Sequence, residues 1–262
     1  MKKLITLLLF FVAMPSWAER QFDIEVIIFK RAVNPEMTAE SWPNNPPEIS
    51  LERAGKFSDA SFRASKQVTL LPYSQYELGE QVQKLKRHAG FDVLMHTAWR
   101  QGDQGRFGAP VFHIQAGKDY SNQFNVDGSP AGSNATSSVI DGVTEESIPA
   151  PLFELDGTFQ VYVEHYLYAD VELDLKAPSV REVVLDAPIQ ANVGTQDATQ
   201  DSMQDNAVVQ AGLMEDITPT VETQAFLKSY RFDQKRRMRS TETHYLDHPL
   251  MGVIIQVRRV AQ

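Results

Sequence analysis

The fold is decided by residues 159–175, FQVYVEHYLYADVELDL, in which apolar and polar side chains alternate along the whole stretch. Odd positions are apolar apart from His165, while even positions carry tyrosines, acids and one glutamine. Because successive side chains of a strand point to opposite faces, this pattern predicts a half-buried strand, or two strands joined by a bulge. Burial on one face is typical of antiparallel sheets, so we predict an α+β fold built on a mainly antiparallel β-sheet.

The flanking segments extend this sheet and add one principal helix. Further strands are predicted where β-branched and aromatic residues cluster or alternate with polar ones, at residues 22–30, 93–101, 111–116, 225–239 and 252–260, with a turn at 244–249. Between the first two strands, Leu78, Val82 and Leu85 recur at helical spacing. We expect this helix to begin after Ser74 as its N-cap and to end before Gly90.

Residues 1–18 have the three parts of a secretory signal peptide. Two lysines are followed by an apolar stretch at residues 4–14 and then by small residues at Ser16 and Ala18. The apolar stretch is too short for a permanent membrane anchor, and no cysteine stands near the cut to carry a lipid. We therefore expect cleavage after Ala18, a periplasmic mature chain, and no membrane insertion after cleavage.

The mature chain, residues 19–262, is predicted to be a single periplasmic domain with two flexible insertions. Residues 118–150 are rich in Ser, Asn, Gly and Asp, while residues 182–223 are acidic. Because the chain has no cysteine, its stability rests on packing rather than on disulfides. The formal net charge of −9 for the full 262-residue sequence argues against nucleic acid as a partner.

The sequence carries no motif for an established catalytic mechanism. It has no cysteine nucleophile, no Gly-x-Ser-x-Gly elbow, no Ser-x-x-Lys pair and no phosphate-binding glycine loop. We predict a protein that is not an enzyme and needs no cofactor or metal, with His165 as a hydrogen-bonded core histidine. The alternative is a metal-dependent hydrolase at His244, Asp247 and His248, since two imidazoles and a carboxylate bind zinc or iron when they converge.

The polar face of residues 159–175 carries a group of tyrosines. Tyr162, Tyr166 and Tyr168 lie beside Glu164 on the side predicted to face away from the core. Sugar rings stack on aromatic faces and hydrogen-bond through their edges, so these four residues are the candidate glycan-binding site. The alternative is that another layer of the protein or a partner covers the tyrosines.

A basic ridge follows near the C-terminus, at Arg231, Lys235, Arg237 and Arg239. Guanidinium groups bind carboxylates through paired hydrogen bonds, so the ridge is a candidate site for stem-peptide carboxylates or for an acidic partner. The alternative is structural. On that view the ridge lies beside acids of the neighbouring strand and stabilises the ladder between them, at Asp170, Glu172 and Asp174.

Several segments, taken in order, resemble the CsiV family of periplasmic peptidoglycan-binding, cell-shape proteins of gamma-proteobacteria. They are FDIEVIIFKR at 22–31, ESWP at 40–43, VLMHTAWRQ at 93–101, ELDG at 154–157, and QKRRMR at 234–239 leading to HYLDHP at 244–249. The resemblance implies binding to peptidoglycan. It also implies support of wall synthesis through the outer-membrane lipoprotein that activates a bifunctional penicillin-binding synthase. It carries over no residue-level binding site.

The leading hypothesis is a non-catalytic periplasmic peptidoglycan-binding protein that supports cell-wall synthesis and cell shape. Its binding would combine aromatic faces on the glycan with basic groups on peptide carboxylates. A second hypothesis is a protein-interaction adaptor whose association with the wall is indirect, through the lipoprotein partner.

Overall fold

The computed structural model describes residues 20–132, 151–185 and 220–261, and the account below is confined to them. The predicted signal peptide and the greater part of both predicted insertions lie outside the described residues. The strands are β1 Gln21–Arg31, β2 Ala54–Gly55, β3 Thr69–Leu70, β4 Phe91–Gly102, β5 Val111–Asp119, β6 Phe153–Val163, β7 Leu167–Leu185, β8 Thr220–Met238, β9 Thr243–Asp247 and β10 Met251–Arg259.

These strands form two five-stranded sheets. The first sheet has the order β3-β4-β1-β10-β9, and the second has the order β2-β5-β6-β7-β8. Every described pair is antiparallel except the short parallel contact of β2 with β5. Two helices accompany them, α1 at Ala60–Ser65 and α2 at Gly79–Arg87. The predicted α+β fold on a mainly antiparallel sheet is therefore confirmed.

One apolar core is shared by the two sheets. Trp99 of β4 is fully buried, and its ring lies 5.1 Å from Phe112 of β5 and 5.9 Å from Phe159 of β6, measured between centroids. The odd residues of β6 and β7 contribute the second sheet's side of this core, as the alternation predicted. The even residues of both strands therefore point to the outer face of the second sheet.

The deciding stretch of sequence is a tight hairpin rather than one strand or a bulged pair. β6 ends at Val163 and β7 begins at Leu167, and these two residues pair directly. Odd residues consequently pair with odd residues, so the alternation continues through the turn without a break. His165 lies at the tip of this turn, exposed and edge-on to Tyr166. Its predicted place in the core is wrong because the chain reverses there.

The principal helix starts later than predicted. Ser74 lies in a 3-10 turn at Tyr73–Gln75, and α2 begins only at Gly79. Just before that start, both oxygens of Glu25 on β1 accept hydrogen bonds, from the amides of Glu77 at 2.7 Å and Leu78 at 2.9 Å. The carboxylate thus fixes the segment that leads into the helix against β1.

Glu25 is a fully buried acid whose charge is held by several partners. His96 Nε2 lies 2.8 Å from the carboxylate, and Arg258 donates to it at 2.9 Å. Burial by itself would raise the pKa of Glu25, but the hydrogen bonds from His96, Arg258 and the helix start together lower that pKa to about 2. The ionised carboxylate therefore joins β1, β4, β10 and the start of α2.

The described edges of the predicted insertions are ordered structure. β7 continues to Leu185 and β8 begins at Thr220, so the hairpin takes in the ends of the predicted insertion 182–223. The amide of Leu227 on β8 donates to the carbonyl of Gly128, within the predicted insertion 118–150. A small apolar cluster is built around this contact, and its members are Tyr120, Phe124, Leu152 and Leu227.

Candidate functional site

The predicted tyrosines and the upper part of the predicted ridge meet on the outer face of the second sheet. Strand β7 lies between β6 and β8, and the register aligns Tyr162 with Tyr168 and Tyr168 with Arg237. The adjacent outward-facing row aligns Asp170 with Lys235. Two groups of residues far apart in the sequence therefore form one surface at the end of the sheet where β6 turns into β7.

Tyr162 and Tyr168 form a stacked pair in this surface. Their ring centroids are 5.4 Å apart with an interplanar angle of 22°, and the Lys235 ammonium lies 5.4 Å and 5.2 Å from the two centroids. Tyr162 points away from the core as predicted, yet it has 0 % of its surface exposed, because neighbouring groups cover it. The Tyr162 ring is therefore closed to a ligand, whereas Tyr168 is half-buried and Lys235 is exposed.

The Tyr162 hydroxyl is buried and makes no hydrogen bond within the described residues. The Lys235 ammonium is near it without meeting hydrogen-bond geometry, and this closeness is the main cause that raises the pKa of Lys235 above its ordinary value. Like any lysine of ordinary pKa, Lys235 is a cation at neutral pH.

Tyr166 is the exposed aromatic of the group, with 47 % of its surface in solvent. The Arg237 guanidinium carbon lies 4.7 Å from its ring centroid, a cation–π arrangement across the β7–β8 pair. Glu164 is exposed at the same turn, where its amide donates to the Tyr166 carbonyl at 3.0 Å. Of the predicted glycan-binding residues, Glu164 and Tyr166 are thus exposed and Tyr168 is half-buried, and their binding of glycan stays a prediction.

A cleft of about 710 Å³ opens beside Tyr166. Its walls come from the end of β8 and the start of β9, namely Lys235, Arg236, Arg237, Met238, Arg239, Glu242 and His244. Lys235, Arg236 and Arg237 make no ion pair within the described residues, although Asp170 lies opposite Lys235 in the ladder, and Arg239 pairs with Glu242 at 3.7 Å. The cleft is therefore cationic, and it suits an anionic group beside an apolar ring.

Arg236 was missed by the sequence analysis. Its parity on β8 is that of the core residues Phe232 and Met238, which argued for burial, yet Arg236 is exposed and lines the cleft. Nothing in the alternation distinguishes it from its buried neighbours. The run of charges at 235–237 was the available signal, since cations are rarely buried without partners.

Arg231, the first residue of the predicted ridge, lies away from this cleft and is occupied by its own sheet. Its Nε donates to Asp174 at 2.6 Å, its Nη1 donates to Glu172 at 2.8 Å, and its Nη2 donates to the carbonyl of Pro47. Four strand residues, about 13 Å, separate it from Lys235. Arg231 thus makes the cross-strand pairs of the structural alternative, while Arg237 and Lys235 do not.

The residues of the metal alternative have separate roles. His244 Nε2 contacts the backbone of Arg239, and Asp247 pairs with Arg31 and Tyr245. His248 is buried with its ring centroid 4.9 Å from that of Trp42, and burial lowers the pKa of this histidine. In the described part of the chain, no three side chains of metal-ligating type come together. The hydrolase hypothesis therefore has no geometry to support it there.

Two mainly antiparallel sheets around one core, with an aromatic and cationic surface on an outer face, define the class as a two-sheet β protein. No helix among the described residues is long and apolar enough to cross a membrane. The family model described as "Peptidoglycan-binding protein, CsiV" matches residues 2–260. The chain therefore belongs to the CsiV family of peptidoglycan-binding proteins, which confirms the resemblance. No curated protein and no solved structure matches it.

Proposed function

We propose that this protein binds peptidoglycan directly and without catalysis, through the surface formed by Tyr166, Tyr168, Lys235 and Arg237. The observation that carries the proposal is the contact of the half-exposed Tyr166 ring with the Arg237 guanidinium at 4.7 Å. Peptidoglycan presents sugar rings and carboxylates side by side. The surface offers a partner for each, an aromatic face and unpaired cations.

The wider role that we propose is support of cell-wall synthesis and cell shape in the periplasm. Membership of a peptidoglycan-binding family and the signal-like residues 1–18 support a location outside the cytoplasm. The resemblance further implies the outer-membrane lipoprotein activator of a bifunctional penicillin-binding synthase as a partner. In this proposal the protein holds the wall polymer at the Tyr166 surface and contacts the lipoprotein elsewhere.

The test is co-sedimentation of the purified protein with protein-free sacculi over a salt series. We expect retention that falls as salt rises, because exposed cations on the surface contribute to it. The variants Tyr166→Ala and Arg237→Ala should each weaken retention about tenfold, whereas their matched controls should not. Those controls are Tyr73→Ala, another exposed tyrosine, and Arg259→Ala, an exposed arginine without an ion pair in the described residues.

Failure of the wild-type protein to sediment at any salt concentration would leave the adaptor hypothesis in its place. In that case, addition of the lipoprotein partner should restore retention, since the association would run through the partner. Equal retention of all four variants would mean that the wall is bound by another surface.

A further inference from the structure

The loop between β4 and β5, residues 103–110, presents an apolar ring to solvent. Phe107 at its tip has 85 % of its surface exposed, more than any other large apolar side chain in the described part of the chain. An exposed phenylalanine forgoes the stabilisation that burial of its ring would give. When its backbone is also held in place, such a ring is a candidate contact for a ligand or a partner.

The loop is held in place by side chains from other parts of the fold. Its carbonyl oxygens accept hydrogen bonds from Arg53 (to Arg106 at 3.0 Å and Phe107 at 3.1 Å), Lys66 (to Gly108 at 3.1 Å) and Gln160 (to Arg106 at 2.7 Å and Ala109 at 3.2 Å). The Arg53 guanidinium carbon also lies 5.7 Å from the Phe107 ring centroid. The ring is therefore presented by a fixed backbone, which lowers the entropic cost of binding through it.

The loop borders the Tyr166 surface. The Arg106 guanidinium lies 3.3 Å from Asp170, and Asp170 pairs across the ladder with Lys235. Gln160, which holds the loop, is on β6, and Lys235 is on β8, so two strand spacings, about 10 Å, separate the loop's anchor from the cationic side of the surface. Aromatic and cationic groups thus continue from the cleft across the sheet to Phe107.

We infer that Phe107 is a second aromatic contact for the wall polymer that binds at the Tyr166 surface. The inference rests on the proposed function. The Val163 amide at the end of β6 donates to the Gln104 carbonyl at 3.0 Å, so the loop that carries Phe107 adjoins the β6–β7 turn that carries Tyr166. Continuity with the Tyr166 surface favours the wall polymer over an unrelated protein partner as the occupant.

The experiment compares Phe107→Ala and Phe107→Trp with Met37→Ala. Met37 is the matched control, because it is 82 % exposed and lies in a different part of the fold. Each protein is titrated against intact protein-free sacculi. We expect Phe107→Ala to weaken binding to sacculi about fivefold. Phe107→Trp and Met37→Ala should match the wild type on sacculi.

Each other outcome has a distinct meaning. If Phe107→Ala binds sacculi as tightly as Met37→Ala does, the inference is overturned while the proposed function stands, and Phe107 is left for a protein partner. If the wild type does not bind sacculi, the proposed function itself fails.

Discussion

The Arg237 guanidinium lies over the ring of Tyr166, 4.7 Å from its centroid, at the point where β6 turns into β7. Each residue belongs to a separate pattern in the sequence, one aromatic and one basic. The antiparallel register brings the patterns together, and the cation has no acidic partner within the described residues. This pair is therefore free to contact a ligand. Arg231, at the other end of the ridge, is instead occupied by Asp174 and Glu172.

Arg231→Ala and Arg237→Ala should have opposite effects. Loss of Arg231 leaves Asp174 and Glu172 without their cation, so we expect the free energy of unfolding to fall by about 3 kcal/mol while wall binding by the folded protein is retained. Loss of Arg237 should change the free energy of unfolding by less than about 0.5 kcal/mol and weaken wall binding. Urea unfolding and co-sedimentation measure the two quantities. A stable Arg231→Ala protein that no longer binds would show that the ridge acts as one site.

Tyr162→Phe should leave wall binding unchanged, because the Tyr162 ring is covered. The same change removes a buried hydroxyl that has no hydrogen bond in the described residues, so the free energy of unfolding should stay equal or rise by up to about 1 kcal/mol. Thermal unfolding and co-sedimentation test both parts. Weaker binding in this variant would mean that the hydroxyl reaches the ligand.

Glu25→Gln should destabilise the fold in a pH-dependent way. The folded pKa of about 2 lies below the ordinary value of 4.5, so the stabilisation by this carboxylate is fully present above about pH 4.5 and is lost as the pH falls towards 2. A difference of this size corresponds to about 3 kcal/mol. Urea unfolding should show this difference in the free energy of unfolding between wild type and variant at pH 7, and a smaller difference below pH 4.5. A difference that does not change with pH would mean that the variant is destabilised by altered packing instead.

Gly157→Ala should lower the free energy of unfolding by roughly 3 kcal/mol. Gly157 has a φ of 152°, and a Cβ there would lie 2.2 Å from the carbonyl oxygen of Glu172 on the neighbouring strand. Gly79→Ala is the matched control, since a Cβ at the start of α2 meets nothing within 4 Å. The denaturant midpoints of the two variants are compared with that of the wild type. Equal midpoints for Gly157→Ala and Gly79→Ala would contradict the predicted strain.

The faces of the strands were predictable from the sequence, because side-chain parity depends only on local geometry. The turn at His165 was not predictable in this way. Because Val163 pairs with Leu167, odd residues face the core both before and after the turn, and the alternation shows no break. The same limit explains why the burial of Tyr162 was not predicted. Parity gives the direction of a side chain but not what covers it, and here Tyr168 across the hairpin and Lys235 of β8 lie against the Tyr162 ring.

The long-range partners were the other features that sequence patterns did not predict. Glu25 alternates like a surface residue, but it is buried because His96 and Arg258 meet it from two other strands. Phe107 gave no signal because a loop has no periodicity against which an exposed ring stands out. Its role depends on the distant donors Arg53 and Gln160, which only the folded chain brings to it.

The place of β1 has a consequence for the order in which the protein matures. This strand is central in the first sheet, between β4 and β10, and its residue Phe22 pairs with Arg259. The first strand in the described part of the chain thus pairs with the last one, and pairing between such distant segments slows folding. A chain translocated across a membrane from its amino terminus would stay incompletely folded until β10 had crossed. It would therefore remain competent for translocation until then.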